Sequence, residues 1–427
     1  MNPPSQTTDK DNNSLSAGKR WNNTFSAFKY RNFRLLWIST LFISGGNWVQ
    51  QITLGWLALE LSGSALKVGI VLGLRAGPML LAPISGAIVD RLDRRKLMLV
   101  DQFILAVLAL IFAGLVLSDV VVMWHLYAFS AGTGIAWSIN NPVRQTLVGN
   151  SVPRHTLMNA VALNSMAFNS TRIFGPAAGG LLITFFGPGI NFLIQGIFYV
   201  AVMIMMFPFQ AEYETDHSAV KDESIFMNVR EGFRYVLNNR TALTIILVTL
   251  IPTLTMMSFV MTLMPVYAVE VLGQEKGEGW ILGLLLTATG IGGFLGTLLL
   301  AAFSNIKSKG KLIISGLFIS SIAILLVSQV NVLWMSMVIL IFIMGAQMIV
   351  MTTNNSVLQM TTPDHMRGRV IGVYMMDIGM MPLGGLIAGT IADLFSVQAA
   401  LITGSSVALI LVILITIMNP SFRKLTV

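Results

Sequence analysis

The chain has 427 residues, 55% of them hydrophobic and only 11% charged, with a net charge of +8. A soluble domain carries roughly 25% charged residues, so a soluble protein of this make-up would expose apolar patches and aggregate; the composition points to a polytopic membrane protein. The absence of cysteine excludes disulfides, thiolate metal sites and a cysteine nucleophile, and the lack of a G-x-x-x-x-G-K-[ST] run excludes the familiar phosphate-cradling loop.

Residues 1–33 read as a polar cytoplasmic tail, Asn/Ser/Thr-rich at its start and without the apolar stretch and small-residue cleavage site of a signal peptide. A helix needs about 20 apolar residues to cross a bilayer. Twelve windows qualify, near 34–59, 66–89, 97–118, 121–147, 158–185, 188–208, 240–271, 277–303, 311–328, 332–360, 369–395 and 397–418. They group into a first half, 34–208, and a second half, 240–418, joined by a polar linker, 209–239, and followed by a short tail, 419–427. Within the linker, residues 224–237 have amphipathic helical spacing and are expected to lie along the membrane surface.

Basic residues orient these windows. The tails, the linker and alternate loops hold nearly all of the 27 Lys and Arg, with Arg91, Arg94, Arg95 and Lys96 together after the second window. Only Lys67 and Lys276 fall on the other side, while Arg75 and Arg172 lie within windows. The positive-inside rule then places both termini in the cytoplasm, with the chain in the cell inner membrane. It also accounts for the net charge without nucleic acid.

The halves share a repeat. Gly69, Gly73, Gly86, Pro153, His155, Gly175 and Gly179 recur 210 residues later as Gly279, Gly283, Gly296, Pro363, His365, Gly385 and Gly389. Two parallel six-helix repeats form a transporter architecture whose site lies between the halves near the bilayer midplane. The four histidines lack metal-ligand spacing, so no metal or cofactor is expected.

The second window ends Gly86-Ala-Ile-Val-Asp90-Arg91-Leu-Asp93-Arg94-Arg95-Lys96. Gly86 lets helices approach closely, and Asp90 suits the positive N-terminal end of a neighbouring helix. This run resembles the signature of the major facilitator superfamily, departing from it at Asp93, where the general pattern has glycine; its Asp-Arg-x-Asp-Arg-Arg form resembles the macrolide-efflux and enterobactin-exporter-like branch of the drug:proton antiporters. In the fifth window, Gly175-Pro176-Ala177-Ala178-Gly179-Gly180 resembles the end of the superfamily's antiporter signature, although Thr171 and Ala162 stand where that signature has glycines. Asn141-Pro142-Val143-Arg144-Gln145 and Pro363-Asp364-His365-Met366-Arg367-Gly368-Arg369 resemble the same branch.

The resemblance runs from about residue 33 to residue 419. It implies an all-α membrane protein with 12 transmembrane helices in two pseudo-symmetric six-helix bundles. It implies a secondary transporter, not an enzyme, exporting hydrophobic or amphiphilic compounds such as drugs, macrolides or siderophores by alternating access and proton antiport. A small-molecule substrate, protons or another coupling ion, and the lipid bilayer are the implied partners, and a monomer the implied state. Gly86, Asp90, Arg91, Asp93, Arg94 and Arg95 would form a cytoplasmic gate between the halves, and Gly175, Pro176, Gly179 and Gly180 a packing face or hinge. An uptake or lipid transporter of the same fold, or a non-transporting receptor or scaffold, stays open.

Ionisable groups inside a membrane are costly and are functional candidates by default. Three lie deep: Arg75, Arg172 and Asp377. Asp377 is expected to take up a proton, with Arg75 or Arg172 as counter-charge; a static pair, or a hydrated Asp377, is the alternative. Arg144 and Asp101 lie shallower and are expected to pair within the first half. Glu60, Asp119, Glu270 and Asp393 fall at outer window ends, where solvation is the default. The resemblance places windows 1, 4, 7 and 10 around a central cavity. Its candidate lining is Asn47, Gln50 and Gln51; Trp137, Asn140, Asn141 and Arg144; Met256 among the many methionines of the second half; and Gln347, Met351 and Asn354. Buried polar groups need partners or water, so interhelical hydrogen bonding competes with cavity lining at each position.

Overall fold

Each of the twelve apolar windows holds a helix in the computed structural model, which describes residues 25–81, 84–85, 89, 92–209, 225–275, 277–302, 308–423 and 425. The first half supplies α1 (Arg31–Ser62), α2 (Ala65–Ala76), α3 (Arg94–Leu117), α4 (Met123–Asn150), α5 (Leu157–Phe186) and α6 (Pro188–Met206). The linker supplies α7 (Ile225–Asn238). The second half supplies α8 (Arg240–Glu270), α9 (Trp280–Ala302), α10 (Lys309–Val327), α11 (Leu333–Thr361), α12 (Met366–Leu394) and α13 (Val397–Met418). Eight of these, α3, α6 and α8–α13, are long and apolar enough to cross a membrane. Large apolar side chains such as Ile111, Phe185, Phe342 and Ile417 stand exposed on the outer surface. Such a surface is stable only against lipid, which supports a membrane location.

Local chemistry sets the helix ends. Gly63 closes α1 in the left-handed region at φ 59°, and Ser64 then caps α2 by accepting from Lys67 N. Asp93 caps α3 by accepting from Arg95 N and Lys96 N. Its departure from the superfamily's glycine therefore has a local cause: a carboxylate stabilises the first turn of α3.

Three helices change their winding. After α2 the chain tightens into a 3₁₀ turn over Gly77–Leu81, and α12 contains another over Met376–Met380. In α8, a π turn over Thr253–Met257 follows Pro252. Proline has no N–H to give the helical ladder, so the register slips there at little further cost.

Helices α1–α6 pack among themselves and α8–α13 among themselves. The two sets meet along two seams, α2 on α12 and α5 on α9, with α8 also touching α1 and α2. Glycine makes both seams possible. A Cβ on Gly69 would stand 2.7 Å from Gly385 O, and one on Gly389 would stand 2.6 Å from Ala65 O. On the other seam, a Cβ on Gly180 would stand 2.6 Å from Gly279 O, and one on Gly283 would stand 2.9 Å from Pro176 O. Gly69 and Gly279, equivalent in the repeat, thus sit at matching places on opposite seams. Gly175 and Gly179 serve the first half instead, lying against Trp48 and Ile52 of α1.

One apolar core runs across the join. Ile52, Trp56, Ala65 and Ile183 of the first half pack with Met264, Tyr267, Ile281 and Leu285 of the second. These residues lie toward one end of the molecule, hereafter the closed end; the linker and the basic start of α3 lie at the other.

At the linker end, Gly86, Asp90 and Arg91 of the expected gate lie outside the described residues. The guanidinium of Arg95 donates to Phe207 O and lies over the Phe207 ring, tying α3 to the end of α6 within the first half. Arg94 is buried beside it. Helix α7 packs against the start of α12, where a Cβ on Gly232 would stand 2.7 Å from Arg369 O and where Glu231 pairs with Arg369. The amphipathic linker segment therefore rests one face on protein.

The seams predict a steep penalty for bulk. Gly180→Val should cost on the order of 1–3 kcal/mol through overpacking, because the atoms it meets are backbone. Thermal unfolding followed by tryptophan fluorescence should register a lower midpoint, whereas Gly149→Val, where a Cβ meets nothing within 4 Å, should shift it far less.

Candidate functional site

Helices α8, α11 and α12 enclose a cavity of about 140 Å³. Met257, Met344, Met348, Met351 and Met381 line it, together with Gln347, Asn354 and Asp377, and Arg172 reaches it from α5. Five thioethers thus give the wall a soft and conformationally adaptable part, beside one carboxylate and one guanidinium.

Asp377 sits on the 3₁₀ turn of α12. Its Oδ2 accepts from Thr253 Oγ1 at 2.6 Å, while Oδ1 has no hydrogen-bond partner among the described residues. Thr253 is the first residue of the π turn of α8. The same turn moves Met256 away from its expected place. Met256 is fully buried in the core, its sulfur accepting from Ser320 Oγ at 3.7 Å, and Met257 takes the cavity position.

A second, larger cavity of about 580 Å³ lies against the first half. Trp137, Asn140, Asn141, Arg144 and Gln145 of α4 and Asn164, Ser165 and Asn169 of α5 line it. Ile378, next to Asp377, borders both cavities. The expected α4 stripe is therefore present. Its polar atoms are tied back into the first half: Arg144 donates to Thr40 Oγ1, Thr40 donates to Asn164 Oδ1 at 2.7 Å, and Asn140 donates to the buried Asp101.

Asn47 and Gln50 line neither cavity. They are buried between helices and accept from the guanidinium of Arg75. Gln195 extends this network, donating to Gln50 Oε1 at 3.0 Å and to Tyr199 Oη at 2.9 Å. A buried guanidinium must be met by acceptors, and here neutral amides supply them. Arg75 is thus engaged within its own half rather than with Asp377. Arg172 is the cation that shares a cavity with Asp377; its guanidinium lies 5.7 Å from the centroid of the Trp48 ring. Gln51 reaches across the halves to the sulfur of Met261 at 3.7 Å.

Met344, Met348 and Met351 follow one another at helical spacing, a signal visible in the sequence; Thr253 and the polar side chains of α5 carried none. Among the described residues, no group of three or more His, Asp or Glu is placed to hold a metal ion.

A family model described as transmembrane secretion effector matches residues 22–424. The multidrug efflux pump Tap of Mycolicibacterium fortuitum is 29% identical over 406 residues, covering 92% of this chain and 96% of its own. The staphyloferrin A transporter of Staphylococcus aureus is 28% identical over 360 residues, 82% of this chain and 87% of its own. Among solved structures, the nucleoside transporter NupG superposes with a TM-score of 0.73 at 10% identity, covering 91% of this chain and 98% of its own, a likeness of fold.

The Arg75 network yields a second expectation. Asn47→Leu removes an acceptor from a buried cation and should cost about 1.5–3 kcal/mol, the worth of a hydrogen bond to a charged group. Denaturant unfolding should show this loss, and the double variant Arg75→Met/Asn47→Leu should recover part of it, because no unmet charge is left behind.

Proposed function

The chain belongs to the transmembrane secretion effector family of the major facilitator superfamily, and on that footing we propose that it is a proton-coupled exporter of hydrophobic or amphiphilic compounds from the cytoplasm. It is a transporter rather than an enzyme. In this reading the chain crosses the cell inner membrane twelve times, as two six-helix bundles over 34–208 and 240–418. The linker 209–239 and both termini are cytoplasmic, so the closed end faces outward and the cavities serve the cytoplasmic side. The protein works as a monomer by alternating access.

The observation that carries the proposal is the placing of Asp377. It lies on a 3₁₀ turn beside the α2–α12 seam, borders a methionine-lined cavity and shares that cavity with Arg172 of the opposite half. A carboxylate costs most when buried and uncompensated, and least beside a cation. Rocking the halves changes the separation of Asp377 from Arg172. The carboxyl would hold a proton when they part and release it when they close, linking proton passage to the cycle. The flexible thioethers suit a bulky apolar body of variable shape, and the Asn- and Gln-rich cavity suits its hydrogen-bonding groups. The names of Tap and of the staphyloferrin A transporter support drugs and siderophores as the first compounds to try.

Transport into proteoliposomes under an imposed pH gradient, across dyes, macrolides and siderophores, tests this reading. Wild type should move at least one class against its gradient only when the pH gradient is present. Asp377→Asn should remove gradient-driven movement yet retain substrate exchange at zero gradient. Gradient-driven movement equal to wild type in Asp377→Asn would overturn the coupling role. Growth dependence on a nutrient, without drug accumulation on deletion, would point instead to uptake.

A further inference from the structure

Both seams finish, at the closed end, in a helix start served by the opposite half. Helix α2 begins at Ala65, and its leading N–H groups need acceptors. Ser64 meets Lys67 N. The next two are met by Asp393, near the end of α12 and 328 residues away from Ala65. Its carboxylate accepts from Ala65 N at 2.6 Å, from Leu66 N at 3.2 Å and from Ser64 Oγ at 2.5 Å. On the other seam, Thr184 of α5 serves the start of α9, accepting from Gly279 N at 3.0 Å. In the 210-residue repeat Asp393 corresponds to position 183, so Thr184 stands one residue from the equivalent place.

The two contacts differ in strength. Asp393 brings a full negative charge to the positive end of α2 and accepts three bonds. Thr184 brings a neutral hydroxyl and accepts one. Glu270, at the closed end of α8, is exposed and belongs to the same half as Asp393. Lys67, also at the start of α2, is exposed.

We propose that Asp393 is the outer latch of the transport cycle: a positioning residue that holds the outward mouth shut by capping α2 from the opposite half, with Thr184–Gly279 as its weaker counterpart. This rests on the alternating-access reading above. Opening outward must draw α12 from α2, which strands Ala65 N, Leu66 N and the carboxylate until water replaces them. The latch thereby sets how rarely the outward-open state forms.

Because the chain lacks cysteine, Val120→Cys and Val332→Cys place one spin-label pair across the outward mouth of the whole protein. Both parent residues are exposed, outside the latch and on different halves. In lipid nanodiscs, Asp393→Ala should raise the long-distance population about tenfold to a hundredfold, the range expected for charge-assisted hydrogen bonds. Asp393→Asn keeps one acceptor and should shift it less; Thr184→Val should shift it least. A raised long-distance population at an unchanged thermal midpoint separates the latch from simple loss of stability. Thermal unfolding of each variant verifies the fold, and Asp393→Asn with Thr184→Val carry the test if Asp393→Ala fails to fold. If wild type exchanges between two distances and these variants leave the ratio unmoved, the latch is overturned while alternating access stands. If wild type holds a single distance at acidic and at neutral pH alike, alternating access fails and the latch with it.

Discussion

Two helices cannot lie backbone to backbone unless one of them gives up its side chains. This constraint governs the whole molecule. Gly69, Gly180, Gly283, Gly385 and Gly389 bring α2 onto α12 and α5 onto α9, closer than any Cβ would allow. Membrane helices gain little from hydrophobic association among themselves, since lipid is as apolar as leucine, so close packing supplies the adhesion. Adhesion of this kind ends abruptly when surfaces part. The joined state is therefore well defined, and leaving it also parts the apolar core shared at the closed end.

The seams also determine where polarity is tolerated. At the closed end the halves share an apolar core, and the polar atoms there are helix starts met by Asp393 and Thr184. Away from it, the same helices carry Asp377, Arg172 and the amide-rich face of α4 and α5 beside open volume. Charges inside the first half are handled differently. Arg75 is surrounded by amides and a tyrosine, Asp101 by Asn140 and Gln102. These groups fix α1, α2, α3, α4 and α6 relative to one another, which a half moving as a unit requires. The contrast separates ionisable groups that hold the scaffold from those at the join, where a change of surroundings is available.

Much of this was legible from residues alone. Apolar length located most of the helices to within a few residues, although α2 ends at Ala76, well short of its window. The misreadings share a cause: a side chain's partner is a tertiary fact. Asn47 and Gln50 have the spacing of a wet stripe, but Arg75 occupies the place expected of water. Asp393 at the end of an apolar window reads as a solvated terminus, and only the fold brings the start of α2 to it. Met256 and Met257 are indistinguishable by composition, and the π turn after Pro252 decides between them.

The tight turn at Met376–Met380 stores angle as well as position. A 3₁₀ segment advances about 120° and about 2.0 Å per residue against about 100° and about 1.5 Å in an α-helix. Over its five residues, rewinding to α would unscrew the rest of α12 by about 100° and shorten it by about 2.5 Å. Asp377 lies within that segment, and Asp393 lies beyond it on the same rod. One local torsional event would therefore swing the carboxylate at the chamber and tug the one at the mouth, with no separate messenger between them.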